Sequence, residues 1–237
     1  MKVLYIFPHP DDESFGPAPA MVKQRRDGHE VYLLTLTKGG ATKQREKFGY
    51  TVSEMGEVRF EEMKNVAKVL NLSGMEVLDL PDSGMKEMYP EEIEKVIEEH
   101  IEKIKPDVVV TYAVHGISGF HDHLVTHAAV KSVYCRMKKS AGYLKRLAFF
   151  TLSEEDAAKQ KHFRISGSKD DEIDIIETAD DSDIVKAREA LDCYVTFKAT
   201  IDASDIKNQL SKDIKFEIFK ESYSPKLKNI FDKLKIK

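Results

Sequence analysis

Tryptophan, cysteine and long apolar stretches are absent or scarce in this chain of 237 residues. The two cysteines, Cys135 and Cys193, lack the paired spacing of a metal site, so we expect buried thiols in a reducing compartment. The longest apolar runs, such as residues 3–7, suit a strand and are too short to span a bilayer. No basic segment followed by a long apolar stretch opens the sequence, which predicts a cytoplasmic protein without a signal peptide or membrane insertion.

An excess of charge of one sign is also missing. The 37 lysines and arginines nearly balance the 41 aspartates and glutamates, which leaves a net charge of −4. Such a chain has no general electrostatic reason to bind nucleic acid or an anionic membrane. Its 41% hydrophobic and 33% charged residues are typical of a globular enzyme with a sizeable core.

Apolar runs alternate with amphipathic stretches along the chain, which is typical of βα units and a mainly parallel sheet. The predicted strands are residues 2–7, 30–36, 76–80, 107–113, 146–152 and 172–177, and the predicted helices are residues 18–27, 52–70, 90–104, 122–137 and 183–197. No repeat or linker interrupts them, so we predict an α/β fold with one domain over residues 1–237, less regular from about residue 141. Ligands of such sheets bind outside the carboxyl ends of the strands.

A histidine and three carboxylates follow the first predicted strand, in the string PHPDDE at residues 8–13. A dinucleotide fold would have glycines there, whereas only Gly16 is near, and the carboxylates would repel phosphate. A cation explains this set most simply, and histidine with aspartate suits zinc. Because adjacent Asp11 and Asp12 can hardly both bind it in the same way, one is free to act as a general base. The alternative is a polar loop in which Asp12 or Ser14 caps the next helix.

Four of the eight histidines cluster in the string HGISGFHDHLVTH at residues 115–127, directly after another predicted strand. Asp122 suits the N-cap of the helix that follows, which puts His123 in its first turn and His127 one turn later. His123 could supply the third protein ligand that a catalytic zinc needs. For His115 and His127 we favour surface or capping roles over metal binding.

These two strings resemble the PIG-L/LmbE family of zinc-dependent N-acetylglucosaminyl deacetylases. PHPDDE after the first strand, and a Gly-x-x-Asp-His segment over a hundred residues later, carry the resemblance, which extends over about residues 1–140. Residues 35–39 (TLTKG), Arg59 with Glu62, and residues 80–82 (LPD) add to it. The resemblance implies an LmbE-like, Rossmann-like three-layer fold with one zinc ion per chain.

The resemblance also implies roles for individual residues. His9, Asp12 and His123 would bind the metal, and Asp11 would be the general base that takes a proton from water. Asp122 would orient a histidine or the metal's surroundings from behind.

Arg59 would reach the site to grip the sugar or a carbonyl oxygen. The alternative for Arg59 is an exposed helix residue that pairs with Glu62, three positions on.

One position departs from the family's pattern. Many relatives have His-Pro-Asp-His, in which the first histidine is thought to stabilise the oxyanion and assist the leaving group. The stretch here reads Phe120-His121-Asp122-His123, so Phe120 stands at that position. Either His121 takes over the role or the role is lost.

The sequence and the resemblance therefore predict a zinc-dependent hydrolase that removes an acetyl group from a small N-acetylated amino-sugar conjugate. The relatives that this chain resembles are often oligomeric, and whether it forms a homo-oligomer itself stays open. Three alternatives stay open. The first is an amidase that acts on a larger acyl group or a thiol-sugar conjugate, and the second is a non-catalytic sugar- or nucleotide-binding module. The third is a metal-dependent phosphohydrolase, suggested by His121-Asp122 but disfavoured by the βα alternation.

Overall fold

A seven-stranded sheet forms the centre of the structure, a computed structural model that describes residues 1–235. The strands are β1 (Lys2–Phe7), β2 (Glu30–Thr35), β3 (Gly74–Val77), β4 (Val108–Tyr112), β5 (Arg146–Thr151), β6 (Ile175–Thr178) and β7 (Asp213–Ile218). Their order is β3-β2-β1-β4-β5-β7-β6, and β1 to β5 run parallel while β7 lies antiparallel between β5 and β6. The predicted α/β fold with a mainly parallel sheet is confirmed.

Helices cover both faces of this sheet. They are α1 (Ala18–Arg26), α2 (Arg45–Phe48), α3 (Val52–Val69), α4 (Pro90–Ile104), α5 (His121–Met137), α6 (Glu154–Lys159), α7 (Asp181–Asp192), α8 (Lys198–Ser204) and α9 (Ile206–Gln209). Apolar residues of α1, α3 and α7 pack on one face, and those of α4 and α5 pack on the other. The result is the three-layer arrangement implied by the resemblance.

The side chains of β1 show how the central strands serve both layers. Val3, Tyr5 and Phe7 belong to the core under α1, α3 and α7, whereas Leu4 and Ile6 belong to the core under α4 and α5. Successive residues of a strand point to opposite faces, so a strand buried on both sides must be apolar throughout. This explains the uninterrupted run KVLYIF.

The strand order reverses between β1 and β4, which are neighbours although many residues separate them in sequence. Val3 pairs with Val108 and Tyr5 with Val110, so both strands end at the same edge of the sheet. A crevice forms at such a switch point, outside the carboxyl ends of the two strands. The loops after β1 and β4 therefore face each other.

The largest differences from the predicted elements lie in the C-terminal third. The helix predicted at residues 183–197 runs instead from Asp181 to Asp192, and it does not close the fold. Strand β7 follows it and inserts between β5 and β6. Its sequence DIKFEI alternates polar and apolar residues and its burial alternates likewise, so period-two alternation was the available signal.

The prediction of buried thiols is wrong for Cys135, which is exposed, while Cys193 is half-buried. Cys135 lies on α5 between residues whose side chains face the sheet, such as Val133 and Met137, and the helical period turns it outward.

In the described part of the chain, no helix combines the length and apolar character needed to cross a membrane.

Candidate metal centre and active site

Three potential metal ligands meet where the loops after β1 and β4 face each other. Nε2 of His123 lies 3.4 Å from Oδ1 of Asp12, and Nδ1 of His9 lies 3.7 Å from Oδ2 of the same carboxylate. Ligand atoms of the three residues all lie within 4.8 Å of one another. The structure thus brings together the three residues predicted to bind the metal, although 114 positions (123 − 9) separate His9 from His123.

The surroundings of His123 leave one ring nitrogen free for a cation. Its Nδ1 lies 2.9 Å from the carbonyl oxygen of Gly116, to which it donates, so Nε2 is the unprotonated nitrogen. Burial lowers the pKa of His123, which favours this neutral form. The ring also stacks on Tyr112 at 4.5 Å between centroids, and the Tyr112 hydroxyl donates to Asp12.

Gly116 is required by this close approach. Its φ is +62°, and a Cβ atom there would lie 2.8 Å from Cβ of His123. A side chain at this position would push His123 away from Asp12. The glycine in the string after β4 therefore serves the position of the histidine that follows it.

Two carboxylates hold His9 from the opposite side of its ring. Nε2 of His9 lies 3.1 Å from Asp122 and 3.3 Å from Asp82, which leaves Nδ1 on the side of Asp12. Burial lowers the pKa of His9, but the hydrogen bonds to Asp122 and Asp82 outweigh it and raise that pKa to about 10. A carboxylate behind a histidine is the usual means of orienting a metal ligand.

The same contacts define a second possible grouping of ligands, His9 with Asp82 and Asp122. Its two carboxylates accept backbone N–H groups, from Ala41 at 2.6 Å and from Ser83 at 2.7 Å, but Asp12 likewise accepts one from His9 at 2.8 Å, so these bonds do not separate the two groupings. The first grouping offers two imidazoles and one carboxylate, the mixed nitrogen and oxygen set that suits zinc, with three protein ligands and room for a fourth. We therefore take the first grouping as the better fit.

The first carboxylate of the PHPDDE string, Asp11, is held by Arg59. The Arg59 side chain is only 3% exposed; it pairs with Asp11 and donates to the carbonyl oxygens of Pro10 at 2.9 Å and Gly39 at 3.0 Å. The alternative of an exposed pair with Glu62 is therefore wrong. Burial raises the pKa of Asp11 to about 7 in spite of the opposing charge of Arg59.

A tyrosine from the C-terminal third also holds Asp11, which sequence reasoning missed. The hydroxyl of Tyr194 accepts from the backbone N–H of Asp11 at 2.8 Å and donates to Glu13 at 2.7 Å. Asp11 has a φ of +85°, a conformation that costs free energy and persists only where the surroundings enforce it. No local pattern marks Tyr194, because its partner lies 183 residues away.

The start of α5 differs in detail from the prediction. Phe120 is its N-cap residue, so Asp122 is not the cap but lies in the first turn and reaches out to His9. His121, in the same turn, is exposed and lines the cavity in front of the ligands. The ring of Phe120 stands edge-on to His123 at 5.7 Å and is 61% exposed.

Contacts also decide two smaller alternatives, the place of His127 and the cap of the helix after the PHPDDE string. His127 is buried rather than on the surface, and its Nδ1 lies 2.8 Å from the carbonyl oxygen of Tyr112, outside both ligand groupings. Neither Asp12 nor Ser14 caps the next helix, because α1 begins after Pro17.

A comparison with known families decides the family. A family model described as "PIG-L: GlcNAc-PI de-N-acetylase" matches residues 4–134, more than half of the chain. The chain belongs to the PIG-L family. The resemblance predicted from PHPDDE and from the segment ending at His123 is thereby confirmed.

Named relatives of this PIG-L member include a deacetylase and an amidase. The probable N-acetyl-alpha-D-glucosaminyl L-malate deacetylase 2 of Bacillus subtilis is 28% identical over 180 residues, which cover 75% of this chain and 77% of that protein. The mycothiol S-conjugate amidase of Streptomyces coelicolor is 31% identical over 145 residues, 54% of this chain. The aligned part spans only 49% of the Streptomyces protein.

Solved structures show the same fold at low sequence identity. The 4-carboxy-2-hydroxymuconate hydratase GalB of Pseudomonas putida superposes with a TM-score of 0.71, covering 94% of this chain and 97% of that one at 12% identity. The fold therefore accommodates more than one chemistry, so the function has to be argued from the site.

Proposed function

We propose that this protein is a zinc-dependent hydrolase that removes the acetyl group from an N-acetylated amino-sugar conjugate of the N-acetylglucosamine type. One arrangement carries the proposal: the ligand atoms of His9, Asp12 and His123 lie within 4.8 Å of one another. Asp11 follows in the same loop as His9 and Asp12, and it pairs with the buried Arg59. Membership of the PIG-L family supports the reaction class.

Each ligand has a fixed orientation before any ion binds. Gly116 fixes the ring of His123, the carboxylate of Asp122 fixes that of His9, and the Tyr112 hydroxyl fixes Asp12. We propose that these three ligands hold one zinc per chain. Bound there, zinc would polarise the amide carbonyl and lower the pKa of water.

Asp11 is the proposed general base. Its carboxyl lies beside the ligands, and a pKa of about 7 lets it accept a proton from the attacking water and return it near neutral pH. We assign Arg59 to holding Asp11, because its two terminal nitrogens already bind Asp11 and two carbonyl oxygens.

The leaving amine needs a proton, for which two donors are near. Asp11 holds the proton taken from water and can deliver it to the nitrogen. His121 is exposed in the first turn of α5 and lines the same cavity, so it is the second candidate. Phe120 has no proton to give, and its ring limits the cavity beside His123 instead.

The proposal is tested by separating metal binding from turnover. Asp11→Asn should retain about one zinc per chain yet lose most of the acetate release from N-acetylglucosamine conjugates, whereas His9→Ala, Asp12→Ala and His123→Ala should lose the metal itself. Metal content is measured by elemental analysis. The exposed Asp79→Asn serves as a matched control that should change neither quantity. Parental turnover in Asp11→Asn would refute the base assignment, and a protein that neither binds metal nor releases acetate would refute the function.

An amidase acting on a larger acyl group or a thiol-sugar conjugate is the second candidate, which the cavity of about 900 Å³ in front of the ligands favours. It would use the same ligands and base, so the acyl group released tells the two apart.

We further propose that the chain is one domain, because β5, β6 and β7 complete the sheet begun by β1 to β4. Its cytoplasmic location stays a prediction, and its assembly into homo-oligomers stays open.

A further inference from the structure

The cavity in front of the ligands is larger than an acetylated sugar needs. Its volume of about 900 Å³ lies near the top of the range of roughly 300–1,000 Å³ usual for small-molecule sites. It extends from the ligands toward the segment after α6 and toward α9 and β7. The part of the cavity beyond the metal centre therefore has room for a further group of the substrate.

Six apolar side chains lie in that part, beside the polar Gln160, Asn208, Gln209 and Ser211, and we call these six the distal wall. The distal wall consists of Phe15, Phe163, Ile165, Phe197, Ile206 and Leu210. All six are half-buried, so each keeps surface that faces the cavity. Side chains that bind a sugar's hydroxyl groups would be polar, whereas these gain free energy only by removing apolar surface from water.

A continuous set of ring contacts connects the distal wall to the proposed base. The guanidinium carbon of Arg59, which pairs with Asp11, lies 4.8 Å from the ring centre of Phe197. The rings of Phe197 and Phe163 each lie 6.3 Å from the ring of Phe15, edge-on. A substrate whose amide reaches Asp11 therefore has an apolar surface beside it.

The charges of this wall do not suit an anionic group. Lys215 pairs with Asp156 at 2.6 Å, and Lys159 pairs with both Asp156 and Glu155 at 3.0 Å, so two carboxylates balance the two lysines. Asp213 adds a further carboxylate to the lining. The exposed Lys43, in the loop after β2, also lines the cavity, together with Ala41 and Thr42.

We propose that the distal wall binds an apolar substituent of the substrate, so that the substrates are amphiphilic N-acylated amino sugars. The substituent is an alkyl or aryl group carried either on the acyl carbon or on the sugar's anomeric oxygen. This inference rests on the proposed amide-hydrolysing function and specifies its substrate class. A group on the anomeric oxygen fits the deacetylase, and a group on the acyl carbon fits the second candidate, the amidase for larger acyl groups. Five of the six residues of the distal wall lie beyond residue 134, where the family match ends.

Two series of substrates test the proposal and distinguish the two sources of the apolar group. One series contains the methyl, butyl and octyl glycosides of N-acetylglucosamine, and the other contains methyl glycosides with N-acetyl, N-butanoyl and N-octanoyl groups. Each buried methylene contributes about 0.8 kcal/mol, or about fourfold at full burial. We expect kcat/KM of the zinc-loaded enzyme to rise about two- to fourfold per methylene in one of the two series.

Variants of the distal wall test whether its residues cause the preference for the octyl substrate. Phe163→Ala should lower the octyl-to-methyl ratio of kcat/KM about tenfold, and Ile165→Asn, which replaces an apolar side chain with a polar one, should lower it in the same direction. Val185→Asn, an exposed position on α7 outside the cavity, is the matched control and should leave that ratio and the activity unchanged.

A binding measurement keeps this inference separate from the proposed function. Calorimetry with the octyl and methyl glycosides of glucosamine, which carry no amide, should show tighter binding and a more negative heat-capacity change for the octyl compound. Equal kcat/KM across both series together with equal binding of the two glycosides would overturn the inference and leave the deacetylase proposal intact. Absence of hydrolysis with octyl-selective binding that Phe163→Ala abolishes would overturn only the deacetylase proposal.

Discussion

Removing the hydroxyl group of Tyr194 should slow turnover without displacing the metal. That hydroxyl accepts from the backbone N–H of Asp11 and donates to the carboxyl of Glu13, and it touches none of the three metal ligands. In Tyr194→Phe the ring remains in the core, where it is wholly buried. The perturbation is therefore confined to the two hydrogen bonds that hold the PHPDDE loop.

The size of the effect follows from the burial of both partners. The backbone N–H of Asp11 loses its partner, whereas Glu13 keeps the hydrogen bond from Ser14. A buried polar group that loses its partner lowers the free energy of unfolding by about 1–3 kcal/mol. Asp11 at a φ of +85° is itself a conformation that costs about 1–3 kcal/mol, and without the hydroxyl the backbone can relax. A carboxylate displaced by about 1 Å can cost up to about a hundredfold in rate, so we expect kcat to fall by about ten- to a hundredfold.

The assay is steady-state acetate release with zinc content measured on the same samples. We expect a lower kcat, little change in KM and an unchanged zinc content in Tyr194→Phe. Tyr5→Phe is the matched control, because it also removes a wholly buried hydroxyl, one that donates to Gln24 at 3.0 Å. It should lower stability without lowering kcat.

A double-mutant cycle decides whether Tyr194 acts through Asp11. In the Asp11→Asn background the loop retains the backbone N–H and its hydroxyl acceptor but no longer has the base. Tyr194→Phe should then cost little further turnover. An equal loss of kcat in both backgrounds would refute the reasoning, as would loss of zinc in the single variant.

Two further predictions concern a glycine and a carboxylate. Gly116→Ala should weaken zinc binding about 10- to 100-fold, because the new Cβ atom would lie 2.8 Å from Cβ of His123. Gly119→Ala is the control, because Gly119 has a similar φ of +70° but a Cβ atom there would have nothing within 4 Å, so this variant should retain the metal. Equal zinc affinity in the two variants would contradict this reason. Burial raises the pKa of Glu177 from 4.5 to about 7, so the unfolded chain releases this proton at a lower pH than the folded chain does. The free energy of unfolding should therefore fall by at most about 3 kcal/mol as the pH rises from 4.5 to about 7. Glu177→Gln should remove this decline in urea titrations at pH 5 and pH 8, and an unchanged difference between the two pH values would show that other groups cause it.

The candidate metal centre could be located from sequence because its proposed ligands lie in two local strings. Each string directly follows a strand with an unmistakable apolar run, and the carboxyl ends of neighbouring parallel strands share one edge. The position of His123 at the start of a helix was also readable, with an error of one or two residues at the cap. Local periodicity and chemistry sufficed for this part.

The groups around the base could not be found in this way. By its helical period Arg59 looks like a surface residue, and only the folded chain shows that the loops after β1 and β2, which contain Pro10 and Gly39, cover it. Tyr194 follows α7, whose place beside α1 depends on the topology of the whole sheet. Contacts over such separations leave no period in the sequence.

The site is therefore built from two parts of the chain, one within the family match and one beyond it. The ligands His9, Asp12 and His123 lie within residues 4–134, and their orienting partners Tyr112, Gly116 and Asp122 lie there as well. The hydroxyl group that holds the base and most of the distal wall come from the chain beyond that match. Because metal binding needs only the first part while proton transfer and substrate choice need both, changes in the C-terminal third should alter kcat and selectivity at constant zinc content.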